Sequence, residues 1–177
     1  MCNTFSAICL PNGDLIFPAE YTDNHIDIIE LKDLADNGRD LVKLECTPID
    51  LRFDDLSSYV FKVDQPDLPS WWNEHIKQRA KETMMRRIGN MIVDDSRQIL
   101  LGGCWILTGN ARICLMKNSR IVLMTGSSRI EQMAGSSRIE QMTGSSRIEQ
   151  MYGSSQIDRM TGSSRIGEDC RKVNNEE

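Results

Sequence analysis

The sequence predicts an α+β N-terminal domain followed by an all-β parallel solenoid built from nonapeptide repeats, two per coil. From Thr125 the chain repeats a nine-residue unit, reading TGSSRIEQM, AGSSRIEQM, TGSSRIEQM, YGSSQIDRM and TGSSRIGED. Ahead of these units, short apolar runs alternate with longer amphipathic segments, which is typical of a mixed domain. We expect the α+β domain over residues 1–103, the solenoid over 104–169 and a polar tail over 170–177.

The N-terminal domain opens with a predicted hairpin. Asn12-Gly13 separates the apolar run Phe5–Leu10 from Leu15–Phe17, and Asn-Gly between apolar runs favours a tight hairpin turn. Capping residues and hydrophobic periodicity define the later elements. They are a helix from Thr22 or Asp23 to Ala35, strands at 41–46 and 58–63, a helix from Ser70 to about Val93, and a strand from Gln98 to Leu107.

The nine-residue period excludes a continuous helix for the repeats. At about 100° per residue, nine residues advance by about 900°, so successive isoleucines would lie on opposite sides of a helix. Strand alternation fits instead, with Ser128 and Ile130 inward and Arg129 and Glu131 outward. Gly126 and its equivalents supply the bend between strands.

Seven repeat units run from Thr108 to Asp169 when two degenerate early copies are counted. One nonapeptide is too short to close a coil, so two units make each coil and seven make about three and a half. Methionine lies three positions after isoleucine and faces inward only if the chain bends near Glu131 and Gln132. We expect that bend, with methionine in the corner of the core. An exposed methionine stripe that binds an apolar ligand is the alternative.

The outward arginines Arg129, Arg138, Arg147 and Arg165 form a regular set, named here the arginine grid. Neighbouring glutamates can neutralise the grid and leave a solvated face. Alternatively, the grid binds phosphates or an acidic partner. Calcium is not expected, because the turns read GSSR and lack the glycine-aspartate signature. The net charge of −5 argues against binding through bulk positive charge, so we expect no nucleic-acid partner.

The sequence also limits the cellular locations and the bound groups that we expect for the protein. The longest apolar stretch, Ile99–Leu107, is short and contains two glycines, so we expect no membrane span. The N-terminus has no basic region followed by an apolar one, so we expect no secretory signal and a cytoplasmic location. The six cysteines are then expected to be reduced thiols. Histidines and cysteines show no metal-ligand spacing, and we predict neither a metal site nor a cofactor.

Cys2 and His25 are the candidate catalytic residues if the chain is an enzyme. Removal of Met1 would leave Cys2 with a thiol beside a free α-amine, whose pKa of about 7.7–8.0 suits a general base. A strand and hairpin directly after such a cysteine resembles the start of N-terminal-nucleophile amide hydrolases, and loosely that of abasic-site-capturing proteins. Trp71 and Trp72 begin the long helix. We expect one of them in the core and Trp71 as the candidate exposed anchor for a partner.

Five short segments stand out beyond the repeats: the opening Met-Cys-Asn-x-aromatic, Asp23-Asn24-His25, Val42–Glu45, Val63-Asp64 and Pro69-x-Trp71. Together they resemble a family of small phage and metagenomic proteins that end in short tandem repeats, often related to pentapeptide repeats. The resemblance covers nearly the whole chain and implies an origin and an architecture, but it carries over no catalytic residue. Because the period here is nine, it does not imply the square coil of pentapeptide proteins.

These features lead us to expect a non-enzymatic binding protein of a phage or mobile element. The α+β domain would recognise a host protein or a small signal molecule, and inhibition of host defence is the purpose that such an origin suggests. The solenoid would be a rigid spacer, a blocker or an oligomerisation surface. The alternatives are a thiol enzyme with Cys2 as its nucleophile and a purely structural repeat protein. In the last case, the open end of the solenoid pairs with a second copy to form a homodimer.

Overall fold

A computed structural model describes residues 5–18 and 24–172 of the chain, which divides into the units Met1–Asn90 and Met91–Glu177. The described strands of the N-terminal unit are β1 (Phe5–Cys9), β2 (Leu15–Ile16), β3 (Val42–Pro48) and β4 (Tyr59–Val63), and its helices are α1 (His25–Leu31) and α2 (Glu74–Gly89). The strands form one antiparallel sheet in the order β2-β1-β3-β4. An α+β fold for this unit is therefore confirmed.

The predicted hairpin is present as β1 and β2. Ile8 lies opposite Ile16, and the backbone N–H of Gly13 donates to the carbonyl oxygen of Leu10 at 2.8 Å. Gly13 has a φ of 80°, a left-handed conformation that glycine adopts without steric cost. The Asn-Gly pair therefore sets the turn, as the sequence predicted.

Helix α1 begins at the N-cap Asn24, whose Oδ1 accepts a hydrogen bond from the N–H two residues later at 3.0 Å. The predicted cap at residues 22–23 lies outside the described residues. The helix ends at Leu31, short of the predicted Ala35. Asp33 has a φ of 50°, and a left-handed residue cannot continue a right-handed helix.

Helix α2 is shorter than predicted at both ends. Asn73 rather than Ser70 is its N-cap, because the Asn73 Oδ1 accepts a hydrogen bond from the N–H of Ile76 at 3.1 Å. The helix ends at Gly89, and the residues predicted to extend it to Val93 enter a strand instead. The hydrophobic period alone did not mark either end.

The core of the N-terminal unit lies between its sheet and its helices. One buried cluster joins β1, α1 and the residue before β3, and consists of Ile8, Ile28, Ile29 and Leu41. On α2 the buried residues are Ala80, Met84 and Ile88. The Met84 Sδ lies 4.0 Å from the Cys46 Sγ of β3, so α2 also packs against the sheet.

The C-terminal unit is a parallel β-solenoid of about four turns with two five-stranded sheets. The sheet named here the odd wall contains β5 (Ile92–Val93), β7 (Cys104–Leu107), β9 (Arg120–Met124), β11 (Arg138–Met142) and β13 (Gln156–Met160). The even wall contains β6 (Ser96–Leu101), β8 (Arg112–Lys117), β10 (Arg129–Ala134), β12 (Arg147–Met151) and β14 (Arg165–Asp169). All strand pairings are parallel, and Arg129 pairs with Arg147 eighteen residues later. The predicted coil of two nonapeptides is confirmed.

The solenoid begins before residue 104, where the sequence analysis placed its start. The seven predicted repeat units correspond to β8–β14, but β5, β6 and β7 extend both walls toward the N-terminus. The single strand predicted from Gln98 to Leu107 is two strands on opposite walls. Gly102 and Gly103, with φ of 63° and 74°, turn the chain between them.

Isoleucine and methionine fill the interior of the solenoid. Ile130 and Met133 are fully buried, whereas Glu131 and Gln132 between them are exposed, so two successive residues point outward at the predicted bend. The methionines Met116, Met124, Met133, Met142 and Met151 are all buried in this interior. Methionine in the core is therefore confirmed, and an exposed stripe is wrong for these five residues.

Close packing between coils requires glycine at several turns of the repeat. Gly126 has a φ of 68°, and a Cβ built on it would lie 2.5 Å from the carbonyl oxygen of Gly109 in the preceding coil. The second serine closes the same turn, because the Ser128 Oγ donates to the carbonyl oxygen of Thr125 at 2.7 Å. The glycine and the second serine of GSS therefore have separate structural roles.

The repeat that is one residue short uses asparagine in place of glycine. Asn118 has a φ of 50°, a left-handed conformation that asparagine tolerates better than most residues. Its Oδ1 accepts a hydrogen bond from the backbone N–H of Ser136 in the next coil at 3.1 Å. The missing residue therefore shortens a turn and leaves the strand register intact.

Candidate functional site

The arginine grid is divided between the two walls of the solenoid. Arg129, Arg147 and Arg165 follow one another in the even wall, where Arg112 extends the same row. Arg138 lies in the odd wall, directly after Arg120 in register. The four predicted residues therefore do not form a single surface.

Arginines of both walls pair with acidic residues along a diagonal between coils. The Arg120 Nε lies 2.6 Å from the Glu140 Oε1, and the Arg138 Nη2 lies 2.8 Å from the Asp158 Oδ2. In each pair the acidic residue follows the arginine by twenty residues, which is one coil of eighteen residues plus two positions along the strand. The Asp158 carboxylate, hydrogen-bonded to Arg138, raises the pKa of that guanidinium. These pairs agree with the interpretation of a self-neutralised outer face.

The diagonal ends at the last coil of the even wall. The Arg129 Nε lies 2.8 Å from the Glu149 Oε1, but the residue twenty positions after Arg147 is Gly167. Arg147 instead contacts the Glu149 Oε2 at 2.6 Å, so one carboxylate serves two arginines. The Arg147 Nε is buried and has no hydrogen-bond partner among the described residues.

A groove of about 620 Å³ lies over this end of the even wall. Its charged lining residues are Arg129, Glu131, Arg147, Glu149 and Glu168. Because three carboxylates and two guanidinium groups line it, the groove has no surplus of positive charge that would select an anion. Phosphate binding is therefore not the chemistry that this groove favours.

His25 lies at the start of α1, close to the sheet. Its Nε2 lies 3.0 Å from the backbone carbonyl oxygen of Leu44, and its Nδ1 lies 3.7 Å from the Asp64 Oδ2. The predicted catalytic partner Cys2 falls outside the described residues. Within the described residues, the groups around the imidazole belong to β3 and to the residue that follows β4.

Glu45, Lys62 and Asp64 complete this cluster. Glu45 and Lys62 are cross-strand neighbours on β3 and β4. The Lys62 Nζ lies 3.1 Å from the Asp64 Oδ1 and 3.8 Å from the Glu45 Oε2, and both carboxylates raise the pKa of this ammonium. One ligand atom each from His25, Glu45 and Asp64 lies within 4.8 Å of the other two. The sequence analysis missed this grouping because only the strand register brings these residues together.

Trp71 is neither a core residue nor a freely exposed anchor. Both tryptophans are half-buried, and their rings meet edge to face with centroids 6.0 Å apart. The Trp71 Nε1 donates to the backbone carbonyl oxygen of Arg39 at 2.6 Å. Neither tryptophan is a core residue or fully exposed, because each ring covers part of the other, and the role of Trp71 as a partner anchor stays a prediction.

Two of the described cysteine thiols are poor nucleophiles because they are buried. Burial raises the pKa of Cys9 to about 11 and that of Cys46 to about 12. At neutral pH both thiols stay protonated, and the thiolate is the reactive form. None of the described cysteines is in a disulfide.

The fold belongs to the class of parallel β-solenoids built from tandem repeats, here preceded by a small α+β unit. Comparison with protein-family models, with curated proteins and with solved structures finds no match to this chain. None of the described helices combines the length and the apolar character that crossing a bilayer needs.

Proposed function

We propose that the chain is a non-enzymatic binding protein whose solenoid joins two copies end to end through its last odd-wall strand, β13. The observation that carries this proposal is the incomplete core of the last coil. Met160 is 38% exposed, whereas Met142, its neighbour in the ladder, is fully buried. Ile157 and Ile166 are likewise only partly buried. A further layer of side chains on this end would bury all three residues.

The backbone at this end also favours pairing. β13 bonds to β11 and β14 bonds to β12, and within the described residues no strand bonds to the outer edges of β13 and β14. Such an edge presents a row of N–H and C=O groups that another strand can bind. The C-terminal turn at Cys170–Lys172 contacts the turn between β12 and β13. There the Arg171 Nη1 donates a hydrogen bond to the carbonyl oxygen of Ser155.

The sequence of β13 is complementary to itself in an antiparallel pairing. If Ile157 of one copy lies opposite Met160 of the other, then Asp158 of each copy lies opposite Arg159 of the other. Opposite charges placed across a strand pair contribute about 0.2–1 kcal/mol each, and the apolar pair continues the core. A two-fold axis produces each contact twice, which is how symmetric dimers form.

The experiment is the mass of the full chain in solution over a range of concentrations, by sedimentation or light scattering. We expect a dimer, and we expect Arg159→Asp to weaken it, because Asp158 then faces a second carboxylate. The matched control is Gln141→Asp, one coil earlier at the equivalent position of β11. A wild-type chain that stays monomeric at high concentration, or an Arg159→Asp chain that dimerises equally well, contradicts the proposal.

Partner recognition is assigned in this proposal to the N-terminal unit. The resemblance to phage and metagenomic proteins supports a host protein or a small signal molecule as the partner, in the host cytoplasm. An inhibitor of host defence is the form of this function that we propose. Immobilised full chain should retain one component of a host lysate that a Trp71→Ala chain retains less. Equal retention by both chains removes Trp71 from the proposed binding surface, and no retention by either contradicts recognition.

A further inference from the structure

The His25 imidazole is held in one orientation by a backbone group. Its Nε2 lies 3.0 Å from the carbonyl oxygen of Leu44. A carbonyl oxygen only accepts hydrogen bonds, so Nε2 carries the hydrogen and the neutral ring has its lone pair on Nδ1. A backbone carbonyl is one of the groups that accept the second ring N–H of metal-binding histidines and so orient them.

The lone pair on Nδ1 points to an acidic region. The His25 side chain is only 9% exposed, and Nδ1 lies 3.7 Å from the Asp64 Oδ2, which is too far for a hydrogen bond. No described residue donates a hydrogen bond to this nitrogen. A buried lone pair that faces carboxylates is unfavourable on its own, and a cation between the groups removes the cost.

We propose that His25, Glu45 and Asp64 bind a divalent first-row transition-metal ion, with Zn²⁺ as the expected ion. The site is separate from the solenoid end and does not depend on the proposed dimer. One imidazole and two carboxylates suit such ions, whereas Mg²⁺ and Ca²⁺ prefer oxygen ligands alone.

The distances between the three ligand atoms fit such a site once the atoms move slightly closer together. The three ligand atoms lie within 4.8 Å of one another. Two ligands of one Zn²⁺ ion, each at about 2.0–2.2 Å from the metal, can be no more than about 4.4 Å apart. Asp64 is about 40% exposed and can supply this closure by side-chain rotation. Three protein ligands leave at least one position of the ion open to water or to a ligand.

Lys62 already places a positive charge against the same carboxylates. Its Nζ lies 3.1 Å from Asp64 and 3.8 Å from Glu45, and its side chain is 63% exposed. Because the ammonium is near the surface, it can move into water when a metal ion binds. Lys62 therefore competes with the metal ion, and its removal should strengthen metal binding.

The experiment uses the full chain, stripped with a chelator and titrated calorimetrically with Zn²⁺. We expect the wild-type chain to bind one Zn²⁺ ion at this site. The affinity should fall by more than about tenfold in Asp64→Asn and should rise in Lys62→Gln. The matched control is Asp36→Asn, which removes an exposed carboxylate that pairs with Lys43 outside the cluster and should leave binding unchanged. The Co²⁺ absorption spectrum should show nitrogen and oxygen ligands without thiolate.

Several results would overturn the proposal. They are the absence of stoichiometric Zn²⁺ binding, equal affinity in the wild-type and Asp64→Asn chains, and weaker binding in Lys62→Gln. Mg²⁺ or Ca²⁺ binding as tightly as Zn²⁺ would reduce the cluster to a general acidic surface. Because His25 is buried and its replacement would also remove packing in the N-terminal unit, the two exposed variants carry the test, with thermal melts to confirm that both remain folded.

Discussion

Arg138 and Asp158 form a two-point ion pair between adjacent coils of the odd wall. The Arg138 Nε and Nη2 lie 3.0 and 2.8 Å from the same Asp158 oxygen, and Nε also lies 3.0 Å from the other. Arg120 and Glu140 repeat this diagonal one coil earlier, at a more buried position. The repeat therefore places one type of ion pair at two depths of burial in one molecule.

The buried pair should contribute more to stability than the exposed one. Glu140 is only 5% exposed, so Glu140→Gln removes a buried negative charge that faces the Arg120 guanidinium. We expect a loss of about 1–3 kcal/mol in the free energy of unfolding for Glu140→Gln. For Asp158→Asn we expect a loss below about 1 kcal/mol. Urea denaturation of both variants measures the difference, and equal losses would contradict the burial argument.

The glycine turn should tolerate alanine only where the preceding coil leaves room. At Gly126 an added Cβ meets the Gly109 carbonyl oxygen at 2.5 Å, in addition to the cost of a φ of 68°. We expect Gly126→Ala to lower stability by about 3 kcal/mol. Gly109→Ala is the control, because its φ is also positive but its nearest neighbour lies at 3.9 Å. That variant should lose about 1 kcal/mol, and similar losses in both would exclude the coil contact as the cause.

The two serines of each turn should differ in their contribution to the free energy of unfolding. The Ser146 Oγ is buried and donates to the carbonyl oxygen of Thr143 at 2.6 Å, whereas Ser145 is exposed. We therefore expect Ser146→Ala to cost about 1 kcal/mol and Ser145→Ala to stay within about 0.5 kcal/mol of the wild type. Thermal unfolding of the two variants provides the comparison. A larger effect at Ser145 would reverse the assignment of roles.

The buried thiols should make the protein less stable in alkali. Burial raises the pKa of Cys46 to about 12 from 9.0, so above pH 9 the unfolded chain releases a proton that the folded chain keeps. The free energy of unfolding then falls as pH rises, by about 1.4 kcal/mol at most for each pH unit and thiol. Urea denaturation from pH 8 to 10 should show a smaller fall in Cys46→Ala than in the wild type. An equal fall in Cys46→Ala and in the wild type would show that the buried Cys46 thiol does not cause the effect.

The sequence predicted the solenoid because its repeat is nearly invariant, but it did not show that β5–β7 belong to the same two walls. Gly102-Gly103 replaces the GSS turn there, and Trp105 lies where later strands carry isoleucine. The ion-pair diagonal needs the 18-residue register, which follows from the repeat alone. The cluster of His25, Glu45 and Asp64 could not be predicted in the same way. It depends on the antiparallel register of β3 with β4 and on the placement of α1. Neither of these produces a periodic pattern in the sequence.

The alternation of units between two walls constrains how the gene can change length. Near-identical units favour unequal recombination, and each unit gained or lost adds or removes one strand. Loss or gain of one nonapeptide shifts every later strand to the opposite wall and turns the terminal face by half a revolution about the solenoid axis. Loss or gain of two restores the orientation and changes the length by about 4.8 Å. Variants with an even difference in repeat number therefore present the end of the solenoid in the same direction, and odd ones present it reversed.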